Sequence, residues 1–194
     1  MSLLDSARTA GSSAGDLLLT VSQSVGLQPV PWLPPGEVLP GRVFRHGLAD
    51  ATGVAWWDEA GSDDVWVRLA YGIALTGGAP TVVSLGIRIL GEEPTDLLLT
   101  HPTRRPTPDA MLVSVAPYLA PDGEIVVLGA RATGSETFEL SCSRGDDAAW
   151  QPFADLRVSP VPLVEENLVL DPSHHPLPGL VHGLAQPSSG DDRR

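Results

Sequence analysis

The chain has 194 residues, enough for one domain, and carries 24 acidic against 12 basic side chains for a formal net charge of −12. Such an acid excess excludes a protein that wraps duplex nucleic acid, because phosphate contacts need basic clusters, and every one of the basic residues here is Arg. The 20 Gly and 19 Pro leave little room for long helices, while 42% hydrophobic residues are too many for a wholly disordered chain.

Met1-Ser2-Leu3-Leu4-Asp5 has no basic residue before Arg8 and no long apolar run after it, so it does not read as a secretory signal. No window approaches the roughly 18 apolar residues of a membrane span. The expectation is a soluble, cytoplasmic protein without membrane partners. Residues 12–26 have the spacing of one short helix, with Ser12 or Ser13 as its cap and Leu17, Leu18, Val21 and Val25 on one stripe. From Gln28 to Pro40 five prolines, Pro29, Pro31, Pro34, Pro35 and Pro40, predict an extended arm that cannot join a central ladder. Residues 1–40 are therefore an N-terminal helix and Pro-rich arm, and the body begins near Gly41.

Strand patterns then recur between turn residues. Gly53–Asp58 is the first candidate. Asp64–Ala70 follows, alternating Val65, Val67 and Leu69 against Trp66 and Arg68, and Thr81–Leu90 places Val83, Leu85, Ile87 and Ile89 on one face. Asp96–Thr100, Glu124–Ala130, Glu136–Ser141 and Leu156–Ser159 complete the set, and Asp109–Leu119 reads as a short inserted helix. Period-two alternation bounded by Gly, Pro and Asp is the pattern of half-buried antiparallel strands, and this many short ones close most naturally into a barrel or sandwich. The predicted fold class is mainly β, an antiparallel barrel over residues 41–160. After Pro160 the sequence turns Pro-rich again. Residues 161–185 are expected to form a second arm lying across the barrel on Leu163, Leu168, Leu170, Leu177 and Leu180, and the polar residues 186–194 a disordered tail.

Few side chains point to chemistry. His46, His101, His174, His175 and His182 have no metal-ligand spacing, and Cys142 has no second Cys to pair with, so no metal site is predicted and Cys142 is read as a structural thiol. Asp63-Asp64 and Glu92-Glu93 fall in turn-like segments and read, like Asp146-Asp147 and Glu165-Glu166, as solvated carboxylates. There is no nucleophile elbow and no phosphate loop. Trp56 and Trp57 are adjacent, so on a strand one faces in and one out; Trp66 is placed to pair with one of them, as packing or as a ligand platform. Arg68 interrupts an apolar strand. On an inner face it would need an anion, from a ligand carboxylate or an internal Asp or Glu; on an outer face, only solvent.

Val65-Trp66-Val67-Arg68-Leu69-Ala70-Tyr71-Gly72, Val83-Ser84-Leu85-Gly86-Ile87-Arg88-Ile89 and Thr95-Asp96-Leu97-Leu98-Leu99-Thr100-His101, in that order, resemble the barrel core of the catalase superfamily, in particular its small catalase-like proteins. Ala149-Trp150-Gln151-Pro152-Phe153, Leu156-Arg157-Val158, Leu170-Asp171-Pro172 and Leu177-Pro178-Gly179-Leu180 resemble the end of that barrel and the arm after it, so the likeness spans residues 42–183. The resemblance implies a heme-type barrel, with a distal His as general acid/base, a distal Asn, an iron-ligating Tyr and Arg side chains at the propionates. Arg68 matches a propionate-neighbouring Arg and is the candidate cofactor-binding residue. His46 lies beside the distal His position, which Phe44 occupies, and would be catalytic only if heme is bound. Thr100 stands at the Asn position. The Arg-x-x-x-Tyr helix that carries the iron ligand is missing from these 194 residues, whose only tyrosines are Tyr71 and Tyr118.

The reading that follows is a catalase-like barrel without heme catalysis, acting as a binding or interaction protein or a degenerate homologue. One alternative is a heme-dependent catalase or peroxidase with altered ligation, using His46 distally and His174, His175 or His182 proximally. A second is a barrel that binds a small apolar ligand. The resemblance also implies homo-oligomers formed by arm exchange.

Overall fold

The computed structural model describes residues 37–49, 51–72, 81–101, 111–144, 149–163 and 168–182. The expected helix at 12–26, the arm up to residue 36 and the tail at 186–194 lie outside them. In chain order the elements are β1 (Val38–Arg45), the one-turn helix α1 (Ala55–Asp58), β2 (Gly61–Gly72), β3 (Thr81–Ile89), β4 (Thr95–Thr100), β5 (Leu112–Ser114), β6 (Tyr118–Leu119), β7 (Ile125–Ala132), β8 (Thr137–Arg144), β9 (Gln151–Val158) and β10 (Val181–His182).

Alternation builds the wall. Val65, Val67 and Leu69 of β2 meet Ile89, Ile87 and Leu85 of β3, and Leu85 and Ile87 meet Leu99 and Leu97 of β4, so one face of three consecutive strands is aliphatic except where Thr95 stands opposite Ile89. The sheet continues in the order β7-β5-β4-β3-β2-β1-β9-β8, and β8 returns to pair with β7, closing an antiparallel barrel of eight strands. At that strand number side chains just fill the interior. Val43, Val65, Val67, Leu85, Ile87, Leu99, Val126, Phe138, Cys142 and Leu156 are all buried in one interior cluster. Gly41 is part of the fit: a Cβ there would come within 2.7 Å of the Arg157 carbonyl oxygen and 3.2 Å of Val65.

Three expectations are corrected. Val38–Pro40, assigned to the arm, are the first rungs of β1, with Pro40 opposite Trp66. The Pro40 carbonyl accepts the Ser159 amide at 2.8 Å, one rung beyond Gly41↔Val158, where the pairing with β9 ends. The donor Pro40 lacks therefore falls at a ladder terminus and costs no interior bond. Gly53–Asp58 is a loop and one helical turn instead of a strand, because Asp58 accepts the amides of Thr52 and Gly53, each at 2.9 Å, and the chain turns back on itself. The described part of the predicted helix 109–119 is strand. β5 pairs with Gly129 and Ala130, and β6 with Ile125 and Val126, so both run along the same edge of β7, interrupted between Ser114 and Tyr118. That interruption breaks the alternation and imitates a helical spacing.

The ends of the barrel differ. Where β1 stops and β2 starts, the loop after β1 and α1 form a plug: Val54 and Trp57 are buried in the interior cluster, and Trp56 meets the Phe153 ring edge-on at 5.6 Å. Arg45 pins this plug, pairing with Asp63 at 2.8 Å and donating to the carbonyls of Trp56 at 3.1 Å and Glu59 at 2.9 Å. On the side of this end, β4 pairs with β5 through Leu99 and Thr100, with one further bond from the Val115 amide to the Leu98 carbonyl at 3.1 Å, and its first half parts from β6. Residues 175–182 fill that seam. His175 accepts the Asp96 amide at 2.8 Å, Leu177 and Leu180 enter the interior cluster, and Val181 and His182 pair with Leu119 and Tyr118. The C-terminal arm thus lies across the barrel and also completes its wall.

Candidate functional site

By register, Trp66 and Arg68 of β2, Gly86 and Arg88 of β3, and Asp96 and Leu98 of β4 share the outer face of three adjacent strands. Arg88 and Asp96 stand directly opposite each other. Nε of Arg88 donates to one oxygen of Asp96 and Nη2 to the other, both at 2.7 Å, the planar two-point match that guanidinium and carboxylate favour. Asp96 is fully buried while Arg88 keeps a fifth of its side-chain surface, so the acid is the member that depends on the pair. The hydrogen bonds that Arg88 donates to Asp96, and to a smaller degree the charge of Asp96, raise the Arg88 pKa.

What covers this cluster is the segment 168–176, and nearly every polar contact is to its main chain. Arg68 Nη1 donates to the Leu168 carbonyl at 2.8 Å, and Arg88 Nη2 to the Val169 carbonyl at 2.7 Å. The Asp171 amide donates to Asp96 at 2.8 Å, the Asp96 amide to the His175 carbonyl at 2.8 Å, and the Thr95 hydroxyl to the Pro176 carbonyl at 3.5 Å. Leu168, Leu98 and Ala70 are buried without belonging to the interior cluster, and the register places Leu98 and Ala70 on the outer face. The segment holds its own shape through Asp171, which accepts the Ser173 hydroxyl at 2.5 Å and pairs with His174 Nδ1 at 2.8 Å. The Ser173 hydrogen bond first, and then those from His174, pull the Asp171 carboxyl down to about 2.

The two candidate site residues of the sequence, Arg68 and His46, do not meet. Arg68 faces outward, half-buried beneath this segment. His46 is exposed just beyond β1, at the plug end. Arg68 pairs with Val38 at the far end of β1, and the eight steps along the chain from Val38 to His46 correspond to about 26 Å of extended chain. Thr100 donates to the Val83 carbonyl at 3.3 Å. Tyr118 is buried inside the barrel, where desolvation, and to a smaller degree the charge of Asp96, raises its pKa. Cys142 is buried in the interior cluster, and desolvation pushes its thiol up to about 11. His174 is exposed, and His175 and His101 are half-buried. Among the described residues no group of three or more His, Cys, Asp and Glu is placed to hold a metal ion.

Trp66 does not pair with Trp56 or Trp57; it sits on the outer wall between Pro40 and Arg88, while the other two pack on Phe153. Asp63 and Asp64 lie within β2 instead of a turn, and as neighbours they face opposite sides, Asp63 paired with Arg45 at 2.8 Å and Asp64 with Arg42 at 2.6 Å. Glu92 and Glu93 are exposed between β3 and β4, whereas residues 146–147 and 165–166 lie outside the described residues. The Arg88–Asp96 pair was missed in the sequence although its signal was present: Arg88 interrupts Ile87 and Ile89 as Arg68 interrupts Val67 and Leu69. No helix among the described residues is long and apolar enough to cross a membrane. Comparison with protein-family models, with curated proteins and with solved structures finds no match to this chain.

Proposed function

We propose that this chain is a catalase-like barrel that has lost heme catalysis and acts as a binding or interaction protein. The observation that carries this reading is the place of Arg68. The resemblance assigns it to a heme propionate, yet its guanidinium lies on the outer wall and donates to the Leu168 carbonyl at 2.8 Å. The other residues do not fit a heme either. His46 stands at the opposite end of β1, and Tyr118 is enclosed in the interior cluster and held protonated by burial. A single group in contact with Arg68 and His46 would have to run the length of the strand. The packed inner wall of Val43, Leu85, Ile87, Leu99, Phe138 and Leu156 likewise favours a solid core over a lumen for an apolar ligand. What the molecule presents for recognition is the outer wall of β2–β4, where charged side chains grip a main chain.

The test is spectroscopic. Hemin is added to the purified protein, the mixture is desalted, and the visible spectrum and peroxide consumption are recorded. No Soret band and no peroxide loss are expected. A Soret band that survives desalting overturns the proposal.

A further inference from the structure

From the segment bound across β2–β4 we infer that this wall is a peptide-recognition groove, held in the present structure by the chain's own residues 168–176 and able to take a segment of the same kind from another chain; the inference rests on the interaction-protein reading above. Three observations support it. The groove's polar contacts go to main-chain atoms of the segment: the carbonyls of Leu168, Val169, His175 and Pro176 and the amide of Asp171. Contacts of that kind read the path of a backbone and are indifferent to most of its side chains. Two residues of the segment are buried, Leu168 and Pro172; Leu168 supplies the aliphatic anchor on the outer wall, whereas Val169 next to it is two-thirds exposed. Finally, Asp171 shapes the segment from within, through Ser173 and His174, so the bound conformation travels with the segment itself.

The occupant is therefore defined by its chemistry. It is a short peptide with Leu or a similar aliphatic residue as anchor, two free carbonyls at the anchor and the next residue, and an Asp three residues on that accepts from the hydroxyl two residues after it. In cis this segment is tethered to the barrel and competes at high effective concentration, so an outside peptide enters only when the internal one is weakened or outmatched.

The experiment uses the full chain and a fluorescein-labelled peptide copying residues 168–177, with two altered peptides. One carries Asp in place of the first Leu; the other is N-methylated at the residue matching Asp171, which removes the proton donated to Asp96. Binding is followed by anisotropy to the unaltered chain and to Leu168→Ala. The copy peptide is expected to bind Leu168→Ala at least tenfold more tightly than the unaltered chain, and both altered peptides at least tenfold more weakly than the copy. Equal binding of all three peptides, or none to a Leu168→Ala chain that keeps its circular dichroism and cooperative melt, overturns the groove. Should Leu168→Ala fail to fold, the unaltered chain decides. Excess copy peptide should quicken hydrogen exchange at its own Asp171 amide while the N-methylated peptide does not, and unchanged exchange overturns the inference. A Soret band would sink the loss of heme chemistry and leave these outcomes intact; a silent peptide would sink the groove and leave the hemin result intact.

Discussion

Replacing Leu177 by Ala tests whether the C-terminal segment is part of the barrel or merely rests on it. Leu177 is fully buried and belongs to the interior cluster together with Val54 and Trp57 of the plug. Truncating such a Leu removes three buried carbons and leaves a void that strand-bound neighbours close only in part, which costs about 3 kcal/mol within the usual spread of roughly 2–5. For a chain of this size, each kcal/mol lowers the melting temperature by about 2–4 °C, so the variant should melt about 6–12 °C below the parent. The paired control is Val181→Ala, three residues beyond Pro178 on the same segment but more than half exposed, which should stay within about 0.5 kcal/mol. Urea unfolding followed by Trp fluorescence and by far-UV circular dichroism gives both values. If the segment peeled away before the barrel unfolded, a change at Leu177 would be absorbed by that local opening and would barely move the main transition. A Leu177→Ala midpoint equivalent to less than about 1 kcal/mol, with Val181→Ala alongside it, would refute the seam-filling role.

The outer pair gives a second prediction. Asp96→Ala strips Arg88 of its buried partner and removes the acceptor of the Asp171 amide, so it should cost about 3 kcal/mol, the low end for a broken buried pair because Arg88 is one-fifth exposed. Arg88→Met with Asp96→Leu should cost less than Asp96→Ala alone in the same urea series, and a double variant worse than the single would contradict the argument. Asp171, whose carboxyl lies at about 2 against an ordinary 3.8, favours the folded state above the ordinary value and loses that contribution as pH falls toward 2. The stability difference between the parent and Asp171→Asn should therefore be level above pH 4 and shrink below it, and a difference that grew on acidification would be the wrong sign. Cys142, with a thiol at about 11, should label with a disulfide reagent at pH 8 only as fast as the protein unfolds; rapid labelling of the native protein would place it at the surface.

The wall of the barrel was largely legible. The patterns at 64–70, 81–90, 96–100, 124–130 and 136–141 lie on β2, β3, β4, β7 and β8, because one face of each meets the interior and the other does not. Legibility failed where a local rule was overridden from outside. Pro40 argued against a strand, but its missing donor falls at the last rung of a ladder. Trp56-Trp57 looked like an in-and-out strand pair, but the carboxylate of Asp58 folds the chain into a turn that places both against Phe153. The interruption between β5 and β6 hid two strands as one ambiguous helix. The candidate site was the least legible part. Arg68 stood out, but its partner is a backbone oxygen 100 residues away, and every residue has such an oxygen. No spacing within the strands announces which carbonyl an arginine will find.

The seam between β4 and β6 also sets an order of events during synthesis. Each of the eight wall strands leaves the ribosome before Leu177 and Leu180, so the nascent barrel carries an open seam, with the Asp96 amide and the edge of Tyr118–Leu119 unpaired, until residues 175–182 emerge. An exposed strand edge beside apolar surface is where nascent chains stick to one another. Among the described residues, the last contacts to become available are then those of one short segment with residues synthesised some 60 to 80 positions earlier. Translation slowed between the emergence of β9 and that of residue 175 should lengthen the life of that unsealed intermediate and raise its aggregation, without altering a single contact of the finished protein.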